Sequence, residues 1–163
     1  GRSGLGFFVG IPGSVGGAVR MNAGGHGRET REVLVDAVVV DLNADGTPRR
    51  RDVASLDLGY RRSALAPGDV VVEARLTVEQ GSPDALRWEI SEIVRWRTVH
   101  QPGGANAGSV FRNPPGDSAA RLIDQQCGLR GLRIGGAVVS EQHANFIQAD
   151  AGATAADVHQ LIT

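Results

Sequence analysis

Seven glycines crowd residues 7–30, in Gly10-Ile11-Pro12-Gly13-Ser14-Val15-Gly16-Gly17 and Asn22-Ala23-Gly24-Gly25-His26-Gly27. Long regular elements are disfavoured at that density, because glycine loses more backbone entropy on ordering than any other residue. The stretch therefore reads as turns, with Ala18-Val19-Arg20-Met21 as one short helical turn between them. Glycine also lets backbone approach a ligand closely, and successive free N–H groups in such loops hold anions. Composition alone leaves tight turns and an anion cradle both open.

The remainder alternates more conventionally. Val33 to Leu42 and Val70 to Val78 read as strands. Asn43-Ala44-Asp45-Gly46 has hairpin-turn chemistry. The Arg49-Arg50-Arg51 run after it reads as an exposed hairpin arm in preference to a phosphate patch. At Gly81-Ser82-Pro83 the composition shifts. Ser82 suits a helix cap and Pro83 a first turn, and Leu86, Ile90, Ile93 and Val94 recur at helical spacing up to His100. A second helix is expected from Asp117 or Ser118 to Gly128, with Leu122 and Ile123 facing the core. Strands are expected at Ile134 to Val139 and Ala144 to Gln148, and Thr154-Ala155-Ala156-Asp157 reads as a capping box before a last helix. A β-rich half followed by a mixed half predicts two α+β lobes.

Several function classes are disfavoured. The net charge of −1 creates no field for nucleic acid, and 4% aromatics leave little stacking surface. All 17 basic residues are Arg, so neither a Schiff-base lysine nor a P-loop is possible. Cys127 is the only cysteine, which excludes an intrachain disulfide and fits the cytoplasm; it reads as a small core residue. His26, His100, His143 and His159 have no metal-ligand spacing, so no metal site is expected. No apolar run predicts a membrane span. The opening Gly1-Arg2-Ser3 and the close at His159–Thr163, within a helical pattern, read as those of a piece of a longer chain.

Candidate chemistry lies in three places. One is the Gly10–Gly17 loop. Another is Tyr60-Arg61-Arg62-Ser63, a polar aromatic with two guanidiniums. The third is Gly108-Ser109-Val110-Phe111-Arg112-Asn113-Pro114, taken with Ser140-Glu141-Gln142-His143-Ala144-Asn145-Phe146. A strand at 108–113 would place Ser109 and Phe111 on one face. Each side chain also has an ordinary structural reading: Ser109 could bond local backbone, Glu141 could cap a turn, and Arg61 or Arg62 could be a solvated turn arginine. A serine hydrolase built on Ser109 lacks the Gly-x-Ser-x-Gly elbow.

In this order, the motifs resemble those of the UDP-N-acetylenolpyruvoylglucosamine reductase family of flavoenzymes, over nearly the whole chain. Gly10, Ile11, Pro12, Gly13, Ser14, Val15, Gly16 and Gly17, with Asn22 and Gly24, resemble its flavin-binding stretch. Tyr60-Arg61-x-Ser63 resembles its catalytic Arg motif, and Gly108 to Pro114 its catalytic Ser motif. Gly135-Gly136-Ala137 through Phe146 resembles a catalytic Glu motif. Arg112 stands where the family commonly has Lys, and Gly25-His26 where Ala-Tyr is common.

The resemblance implies an α+β fold: the second half of a vanillyl-alcohol-oxidase-type FAD-binding domain at 1–82, then the substrate-binding domain at 83–163. It implies non-covalent FAD, NADPH as reductant, and UDP-N-acetylglucosamine enolpyruvate as substrate, reduced to UDP-N-acetylmuramate for peptidoglycan. Arg61, Ser109 and Glu141 are the implied catalytic residues, with Ser109 as proton donor. Tyr60, Arg112 and Asn113 are implied to bind substrate. A cytoplasmic monomer without nucleic-acid or membrane partners is expected. The alternative is a module that binds a nucleotide diphosphate without activity.

Overall fold

The computed structural model describes residues 1–163 and divides into two compact units, Gly1–Val94 and Arg95–Thr163. Both mix short strands with helices, as the α+β expectation required.

The first unit opens with β1 (Arg2–Ser3), a helical turn at Gly6–Phe8, and α1 (Val15–Arg20). The two-residue strands β2 (Gly24–Gly25) and β3 (Arg28–Glu29) then pair as a small hairpin. β4 (Leu34–Asp41), β5 (Arg49–Asp52) and β6 (Asp69–Leu76) form an antiparallel sheet in the order β5-β4-β6. α2 (Val53–Leu56) follows β5, and β7 (Glu79–Gln80) returns to pair with β1.

The register of β4 against β6 shifts between Leu34 and Asp36, so the side-chain alternation changes phase there. Leu34 and Ala37 therefore share one core with Val39, Val19, Leu56, Leu58 and Leu65. α1 lies against β6, where a Cβ on Gly16 would come within 3.3 Å of the Val71 carbonyl oxygen. The arginine run on β5 alternates faces, with Arg50 opposite Val38 on the far side of the sheet and Arg49 and Arg51 opposite Val39 and Ala37. Asp36 is buried and pairs with Arg50 and Arg75. Arg51 meets Asp69 at 3.5 Å and Arg49 meets Asp45 at 2.9 Å. These in-chain partners account for the run without a phosphate.

The join expected at 82/83 is the start of α3 (Pro83–His100), whereas the compact units divide inside that helix. The second unit continues with α4 (Ala119–Arg121), whose cap Ser118 accepts the Arg121 N–H at 3.2 Å. The helix expected to run on to Gly128 widens into a π turn at Leu122–Gln126. Cys127 follows it and is exposed, not a core residue.

β8 (Arg133–Ile134), β9 (Ala137–Val139) and β10 (Ile147–Ala149) form an antiparallel sheet in the order β10-β9-β8. The single strand expected over Ile134 to Val139 is therefore a hairpin. Gly135 turns the chain at φ +53. Gly136 packs so tightly that a Cβ would lie 2.7 Å from Ala153 Cα. α5 (Ala155–Ile162) starts with the expected capping box, Thr154 with Asp157. The Asp157 carboxylate also accepts the Gly136 N–H at 3.2 Å, tying the hairpin to the helix start. No helix is long and apolar enough to cross a membrane.

Leu56 is fully buried in the first unit's core. Leu56→Ala is expected to lower unfolding stability by about 2–5 kcal/mol, the range for losing a buried leucine and leaving a cavity. Denaturant unfolding checks this, and a loss below about 1 kcal/mol would show that the core can collapse around the gap.

Candidate active site

The candidate residues fall into two groups, one in each unit. In the first, Gly10 at φ +74 and Gly13 at φ +125 bend the chain ahead of α1. Pro12, Gly13, Ser14, Val15 and Gly17 are exposed, with Ile11 and Gly16 half-buried. Ser14 caps α1 by accepting the Gly17 N–H at 3.1 Å. No hydrogen bond within the chain uses the N–H groups of Gly13, Ser14, Val15 or Gly16. Consecutive exposed donors beside open space at Gly13 fit an anionic group such as a cofactor pyrophosphate.

Arg61 sits at the tip of a tight turn closed by the Gly59 N–H to the Arg62 carbonyl (3.0 Å) and the Arg62 N–H to the Gly59 carbonyl (3.1 Å). Its φ of +51 is unusual for a residue with a side chain. The guanidinium lies 5.2 Å from the centre of the half-exposed Tyr60 ring and donates to the Gly24 carbonyl at 3.4 Å. Arg62, the rival by sequence, pairs with Asp57 at 3.1 Å. A cleft of about 360 Å³ is lined by Gly24, Gly25, Arg28, Arg31, Tyr60 and Arg61, with Glu29 and Glu32. Arg31 is paired with Glu29 at 2.9 Å, and Arg28 approaches Glu32 at 3.4 Å. Arg61 is thus the cation in this cleft with no carboxylate of its own. A larger groove of about 770 Å³ runs over β4 and β5, but its arginines Arg49, Arg50 and Arg51 are already paired with Asp45, Asp36 and Asp69.

Asn22 and Gly24 stand behind this cleft. Asn22 is fully buried at φ +42. Its Nδ2 donates to Glu29 Oε2 (2.9 Å) and the Gly59 carbonyl (3.1 Å), and its Oδ1 accepts the Arg31 N–H (2.9 Å). Both amide hydrogens are spent joining the β2–β3 hairpin to the turn that carries Arg61. Gly24 allows that hairpin to close, since a Cβ there would lie 2.5 Å from the Arg28 carbonyl oxygen.

In the second unit, the run from Gly108 is not the strand that alternation predicted. It makes one isolated bridge, Ser109 to Phe146. Gly108 takes φ +81, and no neighbouring strand continues the ladder. Ser109 is exposed, and its hydroxyl makes no hydrogen bond within the chain. Arg112 is exposed, and Asn113 accepts the Ala119 N–H at 3.0 Å, which links this run to the start of α4.

Two asparagines missed as individual site residues shape the run. Asn106 accepts the Gly108 N–H at 3.0 Å, and Asn145 bonds Phe111 in both directions. The signal in the sequence was Asn145's place in the Ser140–Phe146 string.

Glu141 is exposed. Its carboxylate rests on the turn at Gly131, where a Cβ would lie 2.2 Å from Oε1. Its carbonyl accepts from Arg130, which also pairs with Asp124. His143 packs edge-on against Phe146 with ring centres 4.7 Å apart, and burial lowers its pKa.

A family model described as "UDP-N-acetylenolpyruvoylglucosamine reductase, C-terminal domain" matches residues 100–163. The UDP-N-acetylenolpyruvoylglucosamine reductase of Rhodopseudomonas palustris (strain HaA2) is 48% identical over 159 residues, 97% of this chain and 50% of that protein. That of Legionella pneumophila (strain Corby) is 46% identical over 162 residues, 98% of this chain and 52% of that protein. The crystal structure of UDP-N-acetylenolpyruvylglucosamine reductase (MurB) from Thermus caldophilus superimposes with a TM-score of 0.88 at 41% identity. It covers 99% of this chain, which spans 59% of that one. The chain spans about half the length of the curated relatives it matches.

Fold and motifs together define the reductase type of α+β protein, and the likeness extends over both units. The chain belongs to the UDP-N-acetylenolpyruvoylglucosamine reductase family.

The turn leading from Asn113 into α4 has a measurable pH signature. Asp117 accepts from Arg121 Nε at 2.6 Å and from the Ser118 N–H at 2.7 Å. The Arg121 contact, then the Ser118 N–H, hold the carboxyl at about 2, below its ordinary 3.8. A carboxyl whose pKa falls on folding stabilises above its unfolded value and loses that contribution as pH drops through the folded one. Asp117→Asn is therefore expected to lower the unfolding temperature at pH 7, with the gap to the parent closing between pH 3.8 and about 2. Thermal unfolding across that window checks this, and a gap independent of pH excludes it.

Proposed function

We propose that this chain forms part of a flavin-dependent reductase that converts UDP-N-acetylglucosamine enolpyruvate to UDP-N-acetylmuramate, with NADPH as reductant. The observation that carries the reading is a coincidence. Of the three side chains picked out as catalytic by motif, Arg61 has no carboxylate partner in its cleft, where Arg62 beside it is paired with Asp57, and Ser109 makes no hydrogen bond within the chain. The relatives' names describe the same reaction class.

FAD held along residues 10–17 would supply the hydride. Arg61 would grip the enolpyruvyl carboxylate, where a planar guanidinium can bond both oxygens. As hydride reaches the β-carbon, the C=C electron pair shifts toward the α-carbon and carboxylate. Arg61 stabilises that charge from a position set before it appears, which is usually the largest catalytic contribution. Ser109 donates its proton to the α-carbon, completing addition of hydride and proton across the double bond. A serine hydroxyl is a weak acid, so the transfer relies on the strongly basic carbon opposite it. Solvent can then restore the exposed Ser109 hydroxyl. Arg112 and Asn113 would hold the substrate's diphosphate or sugar, with Tyr60 packing beside it.

Glu141 has a different standing. Its seat on the Gly131 turn favours a structural role there. Glu141→Gln is expected to keep turnover within a few-fold of the parent, and a loss confined to the substrate half-reaction would return it to the catalytic set.

In the full-length flavoenzyme, Ser109→Ala is expected to leave flavin reduction by NADPH unchanged. Reoxidation by the enolpyruvyl substrate should slow by about 10²–10⁴-fold, the range for removing a general acid. Rapid-mixing absorbance of the flavin separates the two half-reactions, and equal slowing of both would remove Ser109 as proton donor.

A further inference from the structure

The segment that carries Ser109 needs a fixed path, and no strand supplies one. Asn145 takes the place of that strand. It is 3% exposed. Its Oδ1 accepts the Phe111 N–H at 2.9 Å, and its Nδ2 donates to the Phe111 carbonyl at 2.8 Å. Its own carbonyl accepts the Val110 N–H at 2.9 Å. One residue thus offers Phe111 the donor and acceptor that a paired strand would offer, and holds Val110 as well.

Asn145 is itself held firmly. Its N–H points to His143 Nδ1 at 3.3 Å, the Phe146 N–H bonds the His143 carbonyl at 2.9 Å, and the Ser140 N–H bonds the Phe146 carbonyl at 2.9 Å. Ser140 is buried and accepts the Gln142 N–H at 3.2 Å, which closes the loop from below. The platform is rigid, and what it holds is the backbone on the C-terminal side of Ser109.

We propose that Asn145 is the positioning residue for Ser109. It fixes Val110 and Phe111 so that the hydroxyl stays exposed and aimed, an inference that rests on the reductase reading above. A buried amide bonded in both directions resists the small shifts to which proton transfer is most sensitive. A displacement near 1 Å costs on the order of 100-fold in rate.

The test uses the full-length flavoenzyme with three variants. Asn145→Ala removes both bonds. Asn145→Asp keeps the shape and the acceptor but replaces the donor with a carboxylate oxygen facing the Phe111 carbonyl. Val139→Ala loosens the same unit from its buried sheet and serves as the control for stability. Both Asn145 variants are expected to be reduced by NADPH at the parent rate. Their reoxidation by substrate should slow on the order of 100-fold with KM little changed. The solvent deuterium isotope effect on that step should rise. Amide hydrogen exchange at Val110 and Phe111 should accelerate in both, a readout independent of flavin. Val139→Ala should lose stability without slowing reoxidation.

Parent-like reoxidation in the isosteric Asn145→Asp overturns the proposal, and that variant decides if the alanine variant does not fold. Equal slowing in Val139→Ala also overturns it, because it would show a general structural effect. Failure of the parent itself to be reoxidised by the substrate defeats the reductase reading instead.

Discussion

Buried backbone N–H and C=O groups must be paired, and in this chain the sheets are too short to pair them all. Several strands have only two residues. Side chains take over that task. Of the buried polar residues Asn22, Thr30, Asp36, Ser140 and Asn145, all but Asp36 bond backbone in irregular segments. Thr30 closes its loop through the Ala23 carbonyl at 2.8 Å, as Asn22 does through Gly59 and Asn145 through Phe111. Glycine makes the tight paths possible, and buried amides and hydroxyls keep them unique.

This arrangement bears on Arg61. A left-handed backbone costs a side-chain-bearing residue roughly 1–2 kcal/mol. The turn at Gly59–Arg62 tolerates it because both cross-turn hydrogen bonds close and Asn22 anchors the Gly59 carbonyl from behind. Strain maintained by surrounding contacts is characteristic of functional positions, and the inference runs from the observed φ to the role. Arg62, one residue on, is absorbed by Asp57. Adjacent arginines with the same charge thus have different fates, set by backbone conformation.

The long elements were readable from pattern: β4 and β6 from their valine runs, α3 from its apolar spacing and its Pro83 start, α5 from Thr154 and Asp157. The site motifs were also readable, because they are local strings. The irregular parts were not. Alternation predicted a strand through Ser109, but a strand needs a partner ladder, and here one asparagine side chain from a distant loop replaces it. Ile134 to Val139 read as one strand because a glycine pair between apolar residues does not announce a hairpin. That turn depends on Asp157 and Ala153, more than a dozen residues along the chain. Asn22 read as part of a cofactor loop, yet its burial decides that its amide faces inward.

The serines show why tertiary context matters more than proximity to a turn. Ser14, Ser63, Ser118 and Ser140 all lie at turns or helix starts, and each oxygen accepts a local N–H, from Gly17, Leu65, Arg121 and Gln142 respectively. That is the ordinary fate of such a hydroxyl. Ser109, which follows Gly108, has a different fate. The next two N–H groups along the chain are already claimed, Val110 by the Asn145 carbonyl and Phe111 by the Asn145 amide. A hydroxyl left unbonded on a fixed backbone is poised to act on something else, because transfer of its proton breaks no bond that the fold requires.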